Sequence, residues 1–138
     1  MSESKELQPR VLIVDDSPAI AEVVAELLRG EDMAAVKCPR GREALAILDA
    51  EHFDAVILDI LMPEVNGYEV LRQMRLRART AQIPVILLSA SARPEDIDKG
   101  LEMGATHYLT KPFNKSDLVR KLRACIQKRT TSAPPDRE

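Results

Sequence analysis

The sequence predicts an α/β fold, a doubly wound five-stranded parallel sheet with helices on both faces. Five short apolar runs alternate with five segments whose apolar residues recur at helical spacing, the pattern of a parallel sheet. The runs 11–14, 55–58 and 85–88 are apolar at every position, as expected for central strands that helices cover on both faces. The 138 residues suffice for one domain of this kind.

The predicted folded domain covers residues 10–129, between a disordered segment 1–9 and a disordered, Ser/Thr/Pro-rich tail 130–138. Within it we predict strands at 10–14, 33–36, 55–59, 85–88 and 107–110. A helix follows each strand, and the five helices begin near Pro18, Arg42, Gly67, Pro94 and Asp117. The second and fifth strands contain small or polar residues, so we expect them at the edges of the sheet.

Two of the predicted helices have unusual surfaces. The fourth helix has only Ile97 and Leu101 as strong apolar anchors, so it should be packed least firmly. The third helix carries Arg72, Arg75 and Arg79 at a spacing that predicts one shared face. A solvated helix face explains so short a basic run better than a nucleic-acid contact does.

Polar residues at the strand ends predict the strand order. Asp15 and Asp16 follow the first strand, Asp59 and Ser89 end the third and fourth runs, and Lys111 follows the fifth. In the order 2-1-3-4-5 these ends are neighbours at the edge where open α/β sheets bind ligands. In the order 3-2-1-4-5 the strand of Asp59 lies two strands, roughly 10 Å, from that of Asp16. One compact site therefore requires the first order.

The chemistry of these residues indicates phosphoryl transfer. Crowded carboxylates either take up a proton or recruit a cation, and Mg²⁺ prefers oxygen ligands while keeping positions open for a phosphoryl group. Lys111 balances the charge of such a group, Ser89 donates a hydrogen bond to it, and the Asp59 carboxylate is the nucleophile. Taken alone, Asp16 is explained as a cap, Ser89 as a turn residue and Lys111 as a surface charge. Their coincidence at neighbouring strand ends favours the joint functional interpretation.

Composition excludes several other classes of protein. The net charge of −2 and the 3% aromatic content argue against a nucleic-acid surface. The absence of a signal peptide and of a bilayer-length apolar run predicts a cytoplasmic protein without membrane insertion. Cys38 and Cys125 lack metal-type spacing and are interpreted as packing residues.

The chain resembles a response-regulator receiver domain, the phosphoacceptor module of two-component signalling, of the single-domain chemotaxis type. The resemblance covers about residues 10–129 and rests on four motifs: Val-Asp-Asp-Ser, Leu-Asp-Ile-Leu-Met-Pro-Glu-Val-Asn-Gly, Leu-Ser-Ala and Gly-Ala-Thr-His-Tyr-Leu-Thr-Lys-Pro-Phe. It implies a flavodoxin-like fold and a phosphoryl group received from a histidine kinase or phosphotransfer protein. The signal then passes to an unknown partner protein, with no direct binding of nucleic acid.

The resemblance also implies a role for each site residue. Asp59 is the phosphoacceptor, and Asp16 and Asp59 bind Mg²⁺ directly together with the backbone carbonyl of Leu61. Asp15 helps through water, and Lys111 contacts the phosphoryl oxygens. Because Leu61 offers no polar side chain to orient an attacking water, we expect a long-lived phosphoryl group.

The implied switch joins Ser89 and Tyr108, which move together when the phosphoryl group arrives. Tyr108 lies three residues before Lys111, as the family motif requires, although a half-buried aromatic on an edge strand is the ordinary alternative. The resemblance further implies a cis Lys111-Pro112 bond. It implies an output surface formed by the fourth helix, the fifth strand and the fifth helix, on a monomer or weak homodimer.

Two alternatives come from other classes of protein. A phosphorylation-independent binding module, or pseudo-receiver, would use the same face constitutively. A nucleotide-binding α/β protein is disfavoured, because the turn after the first strand is Asp-Asp-Ser-Pro rather than glycine-rich. The preferred interpretation is a signalling switch, not an enzyme, that catalyses its own Mg²⁺-dependent aspartyl phosphorylation and dephosphorylation.

Overall fold

The computed structural model of the chain describes residues 8–132, and the side chains of residues 8–127. Of the segments predicted to be disordered, 1–9 and 130–138, residues 1–7 and 133–138 lie outside this range, whereas residues 130–132 are helical. The strands are β1 (Arg10–Val14), β2 (Ala34–Cys38), β3 (Ala55–Asp59), β4 (Val85–Ser89) and β5 (His107–Thr110). The helices are α1 (Pro18–Arg29), α2 (Gly41–Ala50), α3 (Gly67–Leu76), α4 (Pro94–Glu102) and α5 (Lys115–Ser132).

The five strands form one parallel sheet in the order β2-β1-β3-β4-β5, which confirms the predicted fold class and strand order. Every residue of β3 and β4 is buried, whereas β2 and β5 contain mostly half-buried residues. The composition of each run therefore predicted its place correctly, because only central parallel strands are covered on both faces.

Helices cover both faces of the sheet. Successive residues of a strand point to opposite faces, so each central strand contributes to two hydrophobic clusters. On one face Val56 and Leu58 pack with residues of α2 and α3, such as Leu48 and Leu71. On the other face the alternate residues of the strands, including Ile57, pack with residues of α1 and α5. Cys38 and Cys125 are buried, as predicted.

Helix α4 is attached to the sheet through a glycine. Gly100 is its buried residue, and a Cβ there would lie 2.7 Å from Leu87 Cδ1 and 3.2 Å from Tyr108 Cδ2. The prediction that Leu101 anchors the helix is wrong, because its side chain is 43% exposed. The small area of contact between α4 and the sheet at Gly100 agrees with the predicted weak packing of this helix. At the other end of the chain, α5 continues to Ser132, past the predicted end near Arg129.

The prediction that Arg72, Arg75 and Arg79 share one solvated face of α3 is also wrong. The helix ends at Leu76, so Arg79 lies beyond it, and Arg75 is half-buried rather than solvated. The Arg75 guanidinium donates hydrogen bonds of 2.8–3.3 Å to the carbonyl oxygens of Gly104, Thr80, Ala81 and Ile83. Gly104, at φ +111°, leaves the space that this side chain fills. Arg75 thus joins the loop after α3 to the turn between α4 and β5.

We expect Arg75→Met to lower the free energy of unfolding by about 2 kcal/mol or more, because part-buried carbonyl oxygens lose their donor. Arg72→Met is the matched control. Arg72 is exposed and pairs with Glu69 on its own helix, so its replacement should lower the free energy of unfolding far less than that of Arg75. Urea unfolding measures both changes. Equal stability of the two variants would contradict the structural role of Arg75.

Candidate functional site

The sequence-predicted site residues lie at the carboxyl edge of the sheet because parallel strands all end on the same side. Asp15 and Asp16 follow β1, Asp59 and Ser89 are the last residues of β3 and β4, and Lys111 follows β5. Ligand oxygens of the three aspartates lie within 4.8 Å of one another. The topology therefore brings together acids that are far apart in sequence.

Lys111 is the cation of the acidic cluster. Its Nζ atom lies 3.0 Å from Asp59 Oδ1 and 3.3 Å from Asp15 Oδ2. Asp15 and Asp59 are 3% and 4% exposed, whereas Asp16 is exposed to solvent. The buried acids thus share one ammonium group, and Asp16 closes the cluster on its solvent side.

Asp15 is held in place by the backbone around it. Its Oδ1 atom accepts a hydrogen bond from the amide of Ser17 at 2.9 Å, and its own amide donates to the carbonyl of Cys38 at 3.1 Å. The Ser17 hydroxyl in turn accepts from the amide of Ile20 and caps α1. The start of α1 and the end of β2 therefore orient this carboxylate.

The pKa shifts show how the charges are balanced. Burial raises the pKa of Asp59, which the hydrogen bond from Lys111 opposes and the negative charge of Asp15 reinforces. Burial acts to lower the pKa of Lys111, but the hydrogen bond to Asp59 and the charge of Asp15 outweigh it, so the pKa is raised. The charged ammonium form of Lys111 is favoured over the neutral amine because it faces two acids. The Asp59 carboxylate is disfavoured because one shared lysine does not offset burial and the neighbouring acids.

The backbone of Asp59 is in close contact with the start of α3. The Gly67 amide donates to the carbonyl of Ile60 at 2.8 Å. A Cβ on Gly67 would lie 2.3 Å from the carbonyl oxygen of Asp59. Only glycine therefore allows α3 to begin directly against the residue that ends β3.

Ser89 and Tyr108 both contact Ser91, in the loop between β4 and α4. The Ser89 hydroxyl oxygen accepts a hydrogen bond from the amide of Ser91 at 3.1 Å, and the Tyr108 hydroxyl donates to the Ser91 carbonyl at 2.9 Å. The Lys111 amide donates to the Ser89 carbonyl oxygen at 2.7 Å, but among the described residues the Ser89 hydroxyl makes no hydrogen bond to Asp59 or Lys111. Ser89 is thus near the acids by strand position, while its hydroxyl faces its own loop.

Two features implied by the resemblance concern the rim of the site. The Lys111-Pro112 peptide bond is cis, as implied. The side chain of Leu61 is 69% exposed and forms an apolar part of the surface just after β3. The part played by its carbonyl oxygen stays a prediction.

A parallel sheet in this order, with an acidic cluster and Lys111 at its carboxyl edge, defines a doubly wound α/β domain of the flavodoxin-like class, whose ligand site lies at that edge. The model of the family described as "Response regulator receiver domain" matches residues 11–123. The chain belongs to this family, which comprises phosphoacceptor domains of two-component systems rather than enzymes in the ordinary sense.

Known proteins agree with this assignment. Transcriptional regulatory protein TcrA of Mycobacterium tuberculosis is 37% identical over 129 residues, which are 94% of this chain and 50% of TcrA. The chain thus spans about half the length of the curated relatives it matches. The structure of chemotaxis response regulator CheY4 of Vibrio cholerae matches with a TM-score of 0.80 and 33% identity, over 86% of this chain and 98% of CheY4.

A third match concerns the metal. The receiver domain of the sensor histidine kinase PA1611 of Pseudomonas aeruginosa PAO1 has a TM-score of 0.81 and 28% identity, over 87% of this chain and 98% of that one. That structure has a magnesium ion coordinated in its active-site cleft.

In the present chain, no helix among residues 8–132 has the length and apolar character needed to cross a bilayer.

We expect Gly67→Ala to lower the free energy of unfolding by about 1–3 kcal/mol, because the new methyl group meets the backbone of Asp59 and Ile60. Gly30→Ala is the control. A Cβ at Gly30 meets its nearest atoms at 3.5 and 3.6 Å and φ is −67°, so the change should be neutral or stabilise by about 0.4–1 kcal/mol. Thermal unfolding compares them. A Gly67→Ala protein as stable as the Gly30→Ala protein would refute the close approach.

Proposed function

We propose that this chain is a phosphorylation-controlled signalling switch that accepts a phosphoryl group on Asp59 from a histidine kinase or phosphotransfer protein. The observation that carries the proposal is the position of Lys111, whose ammonium contacts both Asp59 and Asp15 within the cluster of three aspartates. A buried carboxylate beside a fixed cation is what an aspartyl nucleophile requires.

In the proposed reaction, a carboxylate oxygen of Asp59 attacks the phosphorus atom of a phosphohistidine. The new phosphorus–oxygen bond forms as the phosphorus–nitrogen bond breaks, and the imidazole nitrogen keeps the electron pair of the broken bond. Lys111 offsets the negative charge of the oxygens on the transferred group, and its contact with Asp15 holds the ammonium in place. The Ser89 hydroxyl turns from its loop to bond one of these oxygens.

The acidic cluster fits a hard divalent cation. Its donor atoms are carboxylate oxygens, and three acids exceed the charge of one lysine. In the proposal, Asp16, Asp59 and the carbonyl of Leu61 hold Mg²⁺ directly, and Asp15 acts through water. When bound, Mg²⁺ offsets the charge of the phosphoryl oxygens. No observation favours the phosphorylation-independent alternative.

The proposed output passes through the surface of α4, β5 and α5 to a partner protein, with the chain as a monomer or weak homodimer in the cytoplasm. TcrA, which is named a transcriptional regulatory protein, is about twice as long as the region that it shares with this chain. That name concerns the whole protein. For the described domain we propose protein contacts rather than direct binding of nucleic acid, because the net charge of the chain is −2 and only 3% of its residues are aromatic.

We expect a small phosphodonor such as acetyl phosphate, with Mg²⁺, to place one phosphoryl group on the chain, stable in acid and labile in base. Asp59→Asn should abolish labelling, because the amide is not a nucleophile. Asp49→Asn, a surface change on α2, should leave labelling intact. Intact-protein mass spectrometry measures the added mass. If the Asp59→Asn protein were labelled to the same extent as the natural chain, Asp59 would not be the phosphoacceptor.

A further inference from the structure

Ser91 makes hydrogen bonds to three separate parts of the structure. Its amide donates to the Ser89 hydroxyl oxygen at 3.1 Å, and its carbonyl accepts from the Tyr108 hydroxyl at 2.9 Å. Its own hydroxyl donates to Asp96 Oδ2 at 2.5 Å. One residue thus joins the end of β4, the middle of β5 and the first turn of α4.

Asp96 is fixed to the loop before α4 by more than one contact. Besides the Ser91 hydroxyl, its Oδ2 atom accepts from Arg93 Nε at 3.2 Å. The hydrogen bond from Ser91 is also the main cause that lowers the pKa of Asp96, so the carboxylate stays an acceptor. In turn, the Ser91 hydroxyl oxygen accepts from the amide of Arg93 at 3.2 Å. The loop and the first turn of α4 therefore form one hydrogen-bonded unit.

The remainder of α4 has few attachments of this kind. Gly100 is its buried residue, and the helix contacts α3 through Tyr68. The Tyr68 ring lies 4.3 Å from Lys99 Nζ, and its hydroxyl donates to the Asp96 carbonyl oxygen at 3.5 Å. Few side chains hold the body of the helix, so a displacement of its first turn can move it as a unit.

We propose that Asp96 is a positioning residue that transmits the movement of Ser89 to α4 through the hydroxyl group of Ser91. This inference rests on the proposed function, in which Ser89 turns toward phosphorylated Asp59. In the proposal, that movement draws Ser91 with it through the hydrogen bond from the Ser91 amide to the Ser89 hydroxyl oxygen. Because Ser91 is bonded to Asp96, the first turn of α4 changes position when Ser91 does.

The test compares amide signals in ¹H–¹⁵N NMR spectra of the full chain before and after addition of beryllofluoride with Mg²⁺, a mimic of the phosphoryl group. Signals of Ile60 and Leu88 report occupancy of the site. Signals of Ile97, Gly100 and Met103 report on α4. In the natural chain, both groups of signals shift.

Asp96→Ala and Ser91→Ala remove the acceptor and the donor of the same hydrogen bond. In each variant the site signals should still saturate, at no higher concentration of beryllofluoride, since occupancy no longer has to move α4. The shifts of the α4 signals should fall to less than about half of their natural size, because the coupling is lost. The double variant should behave like either single variant, as expected for two groups that act through each other.

Two further variants separate coupling from local helix stability. Glu95→Ala also removes an acid from the first turn of α4 and an ion pair with Arg93, but Glu95 makes no hydrogen bond to Ser91 in the described chain, so natural shifts are expected. Asp96→Asn keeps an oxygen that accepts from Ser91 and should restore most of the α4 response. The inference would be wrong, and the proposed function unaffected, if the α4 signals of Asp96→Ala shifted as far as those of the natural chain. The same holds if Glu95→Ala reduced the α4 shifts as much as Asp96→Ala does. If no signal of the natural chain responds, the proposed function fails, and the inference fails with it.

Discussion

The structure depends on the electrostatic balance at the carboxyl edge of the sheet. Asp15 and Asp59 are almost fully buried there, Asp16 lies beside them, and Lys111 is the cation that contacts the two buried acids. Buried charges are tolerated when they are paired and hydrogen-bonded, and here the pairing is incomplete. The raised pKa of Asp59, caused by burial and by the nearby acids, is the result. Under the proposed function, this edge receives a cation and a phosphoryl group.

The backbone contacts around this edge explain why the acids stay in place. Ser17 bonds Asp15 as α1 begins, and Gly67 lets α3 begin against the carbonyl of Asp59. Ser89, in contrast, is bonded to the loop that precedes the loosely attached α4. The acids are thus held by well-packed elements, and the hydroxyl group is joined to an element that is easier to displace. This difference separates the rigid part of the site from the part proposed to move.

The sequence predicted the strand order and the acidic site because both follow from local patterns, namely apolar runs and the polar residues that end them. It mispredicted Arg75, because helical spacing says nothing about carbonyl oxygens that Gly104 and the loop after α3 bring to the side chain. The exposure of Leu101 was missed for a similar reason, since α4 meets the sheet through Gly100. The bond between Ser91 and Asp96 spans the end of the loop before α4 and the first residues of that helix, and no sequence periodicity indicates it.

Binding of Mg²⁺, followed by calorimetry or by NMR titration, tests the central claim that the three aspartates form one cation site completed by Asp59. We predict that Asp59→Asn weakens binding tenfold or more, equal to about 1.4 kcal/mol, because it removes both charge and a ligand. Asp54→Asn, at the opposite end of β3, keeps the acceptor for the Arg10 amide and should bind Mg²⁺ as the natural chain does. Unchanged affinity in Asp59→Asn would contradict the account.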